Sequence, residues 1–175
     1  VLCGVLCFFF LIIRRLPRST QRRSSAASDV YKRQGQRINV AVIGATGMVG
    51  QNYIRLLANH PWFEVAYVAA SPQSAGKPYA EAVAGRWHMP SDLPEPVRKL
   101  VVGDANDVEA ARGKCALVFS AVSLEKQATA ALECAYAAAG LPVVSNNSAH
   151  RFTPDVPMII PELSLIHISE PTRPY

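Results

Sequence analysis

Along this chain, short runs of apolar residues alternate with amphipathic stretches and with turns rich in glycine and proline, a pattern that predicts strand and helix in turn. Residues 38–43 form a β-branched run that stops at a glycine, as a buried parallel strand does. Over residues 48–59, Val49, Tyr53, Ile54, Leu56 and Leu57 recur at helical spacing, and His60-Pro61 supplies the stop. Residues 64–70 read as a second strand. The stretch 71–96, dense in Pro, Gly, Ser and charge, reads as loop with a helical turn near 79–83. A third strand is expected at 97–102, a helical turn at 108–112 and a fourth strand at 116–120. Residues 124–139 predict an alanine-rich helix that packs through Leu124, Ala128, Ala131, Ala135 and Ala138, turns Glu125, Lys126 and Glu133 away, and ends at Gly140. Further strands are expected at 143–145 and 158–160. The regular alternation, with no internal repeat, predicts an α/β class with a mainly parallel sheet and helices on both faces.

Charge changes which part of the chain this fold is built from. The formal net charge of +5 would suit a nucleic-acid or anionic-membrane partner if it were spread over the fold. Residues 1–34, however, hold seven of the basic residues against one acid, and residues 163–175 hold one of each. The middle therefore carries ten basic and eleven acidic residues, which predicts neither a nucleic-acid nor a membrane partner. Both flanks have a common explanation in DNA. Residues 29–34, Asp-Val-Tyr-Lys-Arg-Gln, can be encoded by GAT GTG TAT AAG AGA CAG, whose reverse complement encodes Leu-Ser-Leu-Ile-His-Ile, residues 163–168. Peptides encoded by opposite strands of one element resemble translated transposase-type sequencing adaptors. The first thirteen residues are apolar, but their basic neighbours follow rather than precede them, and they fall short of the ~20 needed to span a bilayer. The expected organisation is thus an artefactual flank at 1–34, a folded segment at 35–162 from which the fold is built, and an artefactual tail at 163–175.

The chemistry begins at Gly44-Ala-Thr-Gly-Met-Val-Gly50, placed between the first strand and the first helix. Glycines at 44 and 47 allow a tight turn and close approach to a pyrophosphate, and Gly50 allows the helix to pack near the strand. The helix N-terminus adds unpaired N–H groups and the positive end of a dipole. This makes the class Rossmann-like and doubly wound, and truncated if the flanks are excluded. The second strand ends without the acidic residue that would bind the 2′-hydroxyl of NAD. Ser71, Ser74 and Lys77 instead offer hydroxyls and a cation that accommodate a 2′-phosphate, favouring NADP over NAD. No tyrosine is followed four residues later by lysine, so the acid–base pair of short-chain dehydrogenases is missing.

Four stretches in register sharpen this reading: Val42-Ile-Gly-Ala-Thr-Gly-Met-Val-Gly-Gln51, Ser74-Ala-Gly-Lys77, Val118-Phe-Ser-Ala121, and Val144-Ser-Asn-Asn-Ser-Ala-His-Arg151 followed by Asp155-Val-Pro-Met-Ile-Ile-Pro-Glu162. Together they resemble aspartate-semialdehyde dehydrogenase of the archaeal and fungal kind, over nearly all of residues 38–162. The resemblance implies reduction of aspartyl-4-phosphate with NADPH through a cysteine thioester, a small acyl-phosphate or semialdehyde substrate, a cytoplasmic location, and a homodimeric or homotetrameric parent serving lysine, threonine and methionine synthesis. It implies that Gly44, Thr46, Gly47, Met48 and Val49 hold the pyrophosphate, that Ser71 and Ser74 face the 2′-phosphate, and that Ser120 lies near the nicotinamide ribose. Arg151 would clamp the substrate phosphate, a task suited to the donor fork of a guanidinium. Many relatives have arginine where Gln73 stands. The family's nucleophile lies in an Asn-Cys-Ser/Thr context that does not occur in this sequence, so no catalytic residue is expected here, and the resemblance implies that residues 35–162 are an incomplete NAD(P)-binding Rossmann domain with the catalytic and dimerisation domain absent.

Cys115 and Cys134 lack a C-x-x-C or His-pair spacing and are expected to be buried, reduced thiols, and no metal site is expected. His150 beside Arg151 is expected to pack or hydrogen-bond rather than act as a base, and His60 and His88 to be surface or capping residues. Malonyl-CoA reductase and N-acetyl-glutamyl-phosphate reductase share the cofactor half and stay open as alternatives, as does a non-enzymatic dinucleotide-binding regulator.

Overall fold

A computed structural model describes residues 37–153 and residue 156. The strand expected at 158–160 and both flanks lie outside the described residues. Five strands, β1 (Ile38–Ile43), β2 (Phe63–Ala70), β3 (Val102–Asp104), β4 (Leu117–Ser120) and β5 (Val143–Ser145), form one sheet in the order β3-β2-β1-β4-β5. Every pairing is parallel. Chain order reverses between β1 and β4, the switch point at which ligands of doubly wound folds lie, beyond the C-terminal ends of the strands.

Alternation along β1 explains the two layers. Val40 and Val42 join one buried cluster, with Tyr53, Ile54 and Leu57 of helix α1 (Met48–Leu57), Tyr79 and Ala82 of α2 (Tyr79–Ala82) and Val97 of α3 (Glu95–Arg98). Ala41 and Ile43 join the other, with Ala111 of α4 (Val108–Arg112) and Leu132 and Tyr136 of α5 (Lys126–Ala138). The register between β1 and β2 slips between Val40 and Ala41, so Val65 and Val68, three residues apart, both face the first cluster.

Three sequence expectations need correction. The third strand is not at 97–102: Pro94 and Pro96 start a single helical turn, α3, that contains Val97, and the strand begins at Val102. Helix α5 packs through a different face from the one expected. Leu124, Ala128, Ala131, Ala135 and Ala138 are exposed, and Thr129, Leu132, Glu133 and Tyr136 are buried. Burying Leu132 and Tyr136 removes far more apolar area from water than burying alanines, at roughly 25 cal/mol per Å², so the two large side chains orient the helix and carry Glu133 inward. Finally, Cys115 is buried as expected but Cys134, on the outward side of α5, is exposed.

Candidate functional site

The glycine turn after β1 is built from close backbone contacts. Gly44 has φ +76°, and a Cβ there would stand 2.5 Å from the Ala121 carbonyl oxygen. A Cβ on Gly50 would run into the Gly44 carbonyl, so helix α1 lies against its own entry turn. Gly47 differs from both: the one neighbour a Cβ would meet within 4 Å is the Gly44 oxygen, at 3.5 Å. The protein's own packing therefore demands glycine at 44 and 50 but not at 47, where the open side faces the groove. Gly47 is also the N-cap of α1, and no side chain caps that end. The first N–H groups of the helix, beginning with Met48 and Val49, have no acceptor within it.

Gln51, which no sequence motif singles out, holds this turn in place. It is buried in the middle of the apolar stripe of α1. Its Nε2 donates to the carbonyls of Thr46 (3.0 Å) and Arg86 (2.7 Å), and its Oε1 accepts from the His88 N–H at 2.9 Å. Two buried tyrosines fasten the loops on either side of the sheet: the Tyr79 hydroxyl donates to the Ala45 carbonyl at 2.7 Å, and the Tyr136 hydroxyl to the Ala105 carbonyl at 2.8 Å. Burial raises both phenol pKa values well above the ordinary range.

Two cavities of about 250 and 240 Å³ share Ala121, Val122, Ser123 and Leu124 and make one groove across the switch point. The first lies over the β1–β2–β3 half, lined by Gly44, Thr46, Gly47, Ser71, Pro72 and Asn106. The second lies over the β4–β5 half, lined by Val49, Lys126, Thr129 and the loop from Asn146 to Ala149. Of the residues that the sequence singled out, Gly44, Thr46, Gly47, Val49 and Ser71 thus line one groove, and Met48, between Gly47 and Val49 on the first turn of α1, is exposed and lines neither cavity. Ser74 is buried behind Ser71, its N–H donating to the Ser71 carbonyl at 2.9 Å. Ser120 ends β4 with its side chain wholly inside. Arg151 is half-buried on the turn that follows the Asn146–Ala149 segment.

Beneath the second cavity lies a polar cluster that the sequence did not disclose. Glu133, expected to face solvent, is 1% exposed. Its Oε1 accepts from Ser120 Oγ at 2.7 Å, Ser145 Oγ at 2.6 Å and Asn147 Nδ2 at 3.0 Å. His150, also buried, places Nε2 3.9 Å from Glu133 Oε2 and 3.8 Å from Cys134 Sγ, and Nδ1 3.3 Å from Thr153 Oγ1. His60, as expected, works as a cap: its Nδ1 accepts from the N–H groups of Trp62 and Phe63, both at 3.2 Å. His88 is exposed. Among the described residues, no group of three or more His, Cys, Asp or Glu is placed to hold a metal ion, and no helix is long and apolar enough to cross a membrane.

Comparison with known proteins agrees with this architecture. The family model described as semialdehyde dehydrogenase, NAD binding domain, matches residues 39–170. An aspartate-semialdehyde dehydrogenase of Cryptococcus neoformans is 41% identical over 132 residues, which cover 75% of this chain and 35% of that protein. A malonyl CoA reductase (NADP) of Metallosphaera sedula is 38% identical over 132 residues, covering 73% of this chain and 34% of its own. The crystal structure of aspartate semialdehyde dehydrogenase with NADP from Candida albicans superposes with a TM-score of 0.62 at 38% identity, covering 69% of this chain and 32% of that one. The chain thus spans about a third of the length of the relatives it matches.

Proposed function

The chain belongs to the family of semialdehyde dehydrogenase NAD-binding domains, and we propose on that premise that it is the cofactor-binding part of an NADP-linked aspartate-semialdehyde dehydrogenase. The observation that carries this is Gly47, which is free of crowding from the protein yet lies at the uncapped N-terminus of α1 and on the wall of the groove. A bound pyrophosphate explains the missing side chain and receives the unpaired N–H groups of Met48 and Val49. Gly44 and Thr46 shape the same wall. Beyond it, Ser71 closes the adenosine end of the groove with a hydroxyl where an acid would repel a 2′-phosphate, and Ser74 packs behind to fix that turn. This arrangement supports NADP over NAD.

NADPH, when bound, supplies a hydride. The residues of this chain bind and orient: α1 fixes the pyrophosphate, the β4–β5 end receives the nicotinamide half, and Arg151, on the loop after β5, holds the substrate phosphate. The Asn-Cys-Ser/Thr context of the family's nucleophile does not occur in these 175 residues. The thioester step on aspartyl-4-phosphate, which feeds lysine, threonine and methionine synthesis, therefore belongs to residues outside them, and this chain alone is inactive. The parent is a cytoplasmic homodimer or homotetramer in this reading. Similarity to a malonyl CoA reductase supports a second reading, in which the same groove serves reduction of an acyl-CoA thioester.

Sequencing the source gene outward from codons 38–150, and assaying its full product for phosphate-dependent reduction of NADP with aspartate semialdehyde, tests the proposal. An open frame leading into Asn-Cys-Ser/Thr and a product with this activity are expected. A full product that instead oxidises NADPH with malonyl-CoA establishes the second reading. One that keeps the glycine turn yet shows neither activity overturns both.

A further inference from the structure

Glu133 brings together three segments that are far apart in sequence. Ser120 ends β4, Ser145 ends β5 and Asn147 belongs to the loop that lines the second cavity; all three donate to one carboxyl oxygen. The Asn147 main-chain N–H also donates to Ser145 Oγ at 3.0 Å, and Asn147 Nδ2 lies 3.4 Å from Ser120 Oγ. Each strand-ending hydroxyl is therefore turned inward to α5. The other carboxyl oxygen, Oε2, is buried with no hydrogen-bond partner and faces the buried His150 Nε2 at 3.9 Å. Burying a carboxyl group costs free energy even when it is well bonded, and an apolar side chain of similar size would serve the core at lower cost. Packing alone does not explain Glu133; the placement of its three donors does.

We propose that Glu133 is a positioning residue for the nicotinamide end of the groove, fixing Ser120, Ser145 and Asn147 so that the Asn146–Ala149 loop keeps the wall of the second cavity in place. Ser120 acts in this arrangement through Glu133, because its single hydroxyl proton is already donated there and its side chain has no exposure to the groove. The inference rests on the cofactor reading above.

The test compares two ligands on the purified full chain: NADPH, and 2′,5′-ADP, which carries the adenosine end with its 2′-phosphate and no nicotinamide. Glu133→Ala is expected to weaken NADPH by about tenfold or more, the loss of one or two hydrogen bonds' worth of positioning, while 2′,5′-ADP stays within about twofold. Glu133→Gln, whose amide oxygen still accepts from both serines, is expected to restore NADPH binding to within about threefold of the wild type. Ser120→Ala alone weakens NADPH several-fold, and adding it to Glu133→Ala costs nothing more, since the two act as one unit. If Glu133→Ala does not fold, Ser120→Ala and Ser145→Ala carry the same comparison: losses confined to NADPH and non-additive in the double variant. Equal losses on both ligands, no loss on either, or additive losses overturn the inference while leaving the cofactor reading intact. A wild-type chain that binds neither ligand overturns the cofactor reading and this inference with it.

Discussion

At the β1 end of the groove the wall is backbone, with Gly44 and Gly50 pressed against carbonyl groups and Gly47 open to the groove. At the β4–β5 end the wall is held by side chains, with one buried carboxyl group gathering donors from two strands and a loop. The glycines of the first end lie within seven consecutive residues, though Gly44 also packs on the Ala121 carbonyl, and the second end needs residues 120, 133, 145 and 147 to meet in space. An anion-binding turn can be local because N–H groups and a helix dipole come with the backbone. A polar network under a cavity has no local form, since each donor needs an acceptor brought from elsewhere.

The sharpest way to break this comparison is to place a Cβ at each glycine in turn. Gly44→Ala meets the Ala121 carbonyl and a positive φ, and Gly50→Ala meets the Gly44 carbonyl; neither neighbour can yield. Overpacking and left-handed strain together are expected to cost Gly44→Ala roughly 2–5 kcal/mol of stability, read by urea unfolding. Gly47→Ala, with open space around it, is expected to leave unfolding within about 1 kcal/mol of the wild type yet weaken NADPH by about tenfold. If Gly47→Ala unfolds as readily as Gly44→Ala, the distinction between packing glycines and a ligand glycine is lost.

A smaller effect is expected from the two tyrosines that tie the loops down. Tyr79→Phe frees the Ala45 carbonyl on the glycine side, and Tyr136→Phe frees the Ala105 carbonyl near the first cavity. Each is expected to cost about 1 kcal/mol, seen as a drop in melting temperature of a few degrees. Losses confined to one of the two would mean that the sheet's faces do not share the work of holding the groove.

The smallest effect belongs to the two core layers rather than to the groove and appears only in alkali. Burial pushes the Cys115 thiol from 9.0 up to about 11 and the Tyr53 phenol from 10.0 up to about 12. For both groups the folded state holds the proton more tightly than the unfolded chain. Their contribution is therefore complete below about pH 9 and is lost as pH rises through the folded values, because the unfolded state ionises first. Melting temperature is expected to fall progressively from pH 9 to 12, and Cys115→Ala is expected to flatten the part between 9 and 11. A flat profile over that range in the wild type would contradict the burial of both groups.

Much of the fold was legible in the sequence because its signals are local. The β-branched run of β1, the glycine turn and the large residues of α1 each determine a backbone state or a buried face within a few residues, and β1, α1, β2, α2, α4, β4 and β5 form at or near the predicted positions. The position of β3 was not legible, since Val97, Leu100, Val101 and Val102 read as one strand interrupted by Arg98 and Lys99, and Pro94 and Pro96, rather than hydrophobicity, decide that its first part turns as a helix. The face of α5 was not legible from alanine spacing. Leu132 and Tyr136 carried the better signal, because area removed from water, not the count of apolar positions, sets the orientation of a helix.

For this protein, then, sequence by itself determined the class of fold, the glycine turn between β1 and α1 and the absence of an acid at the end of β2. These are properties of the backbone and of single positions, and they need no partner. Only the tertiary structure decided that Gln51 locks the glycine turn, that Glu133 points inward and that Ser120 spends its proton on a carboxyl group. The physical reason is that a hydrogen bond between residues 13 or 35 positions apart exists only after the chain has paid the entropy of bringing them together, and no local pattern records which pairs will meet.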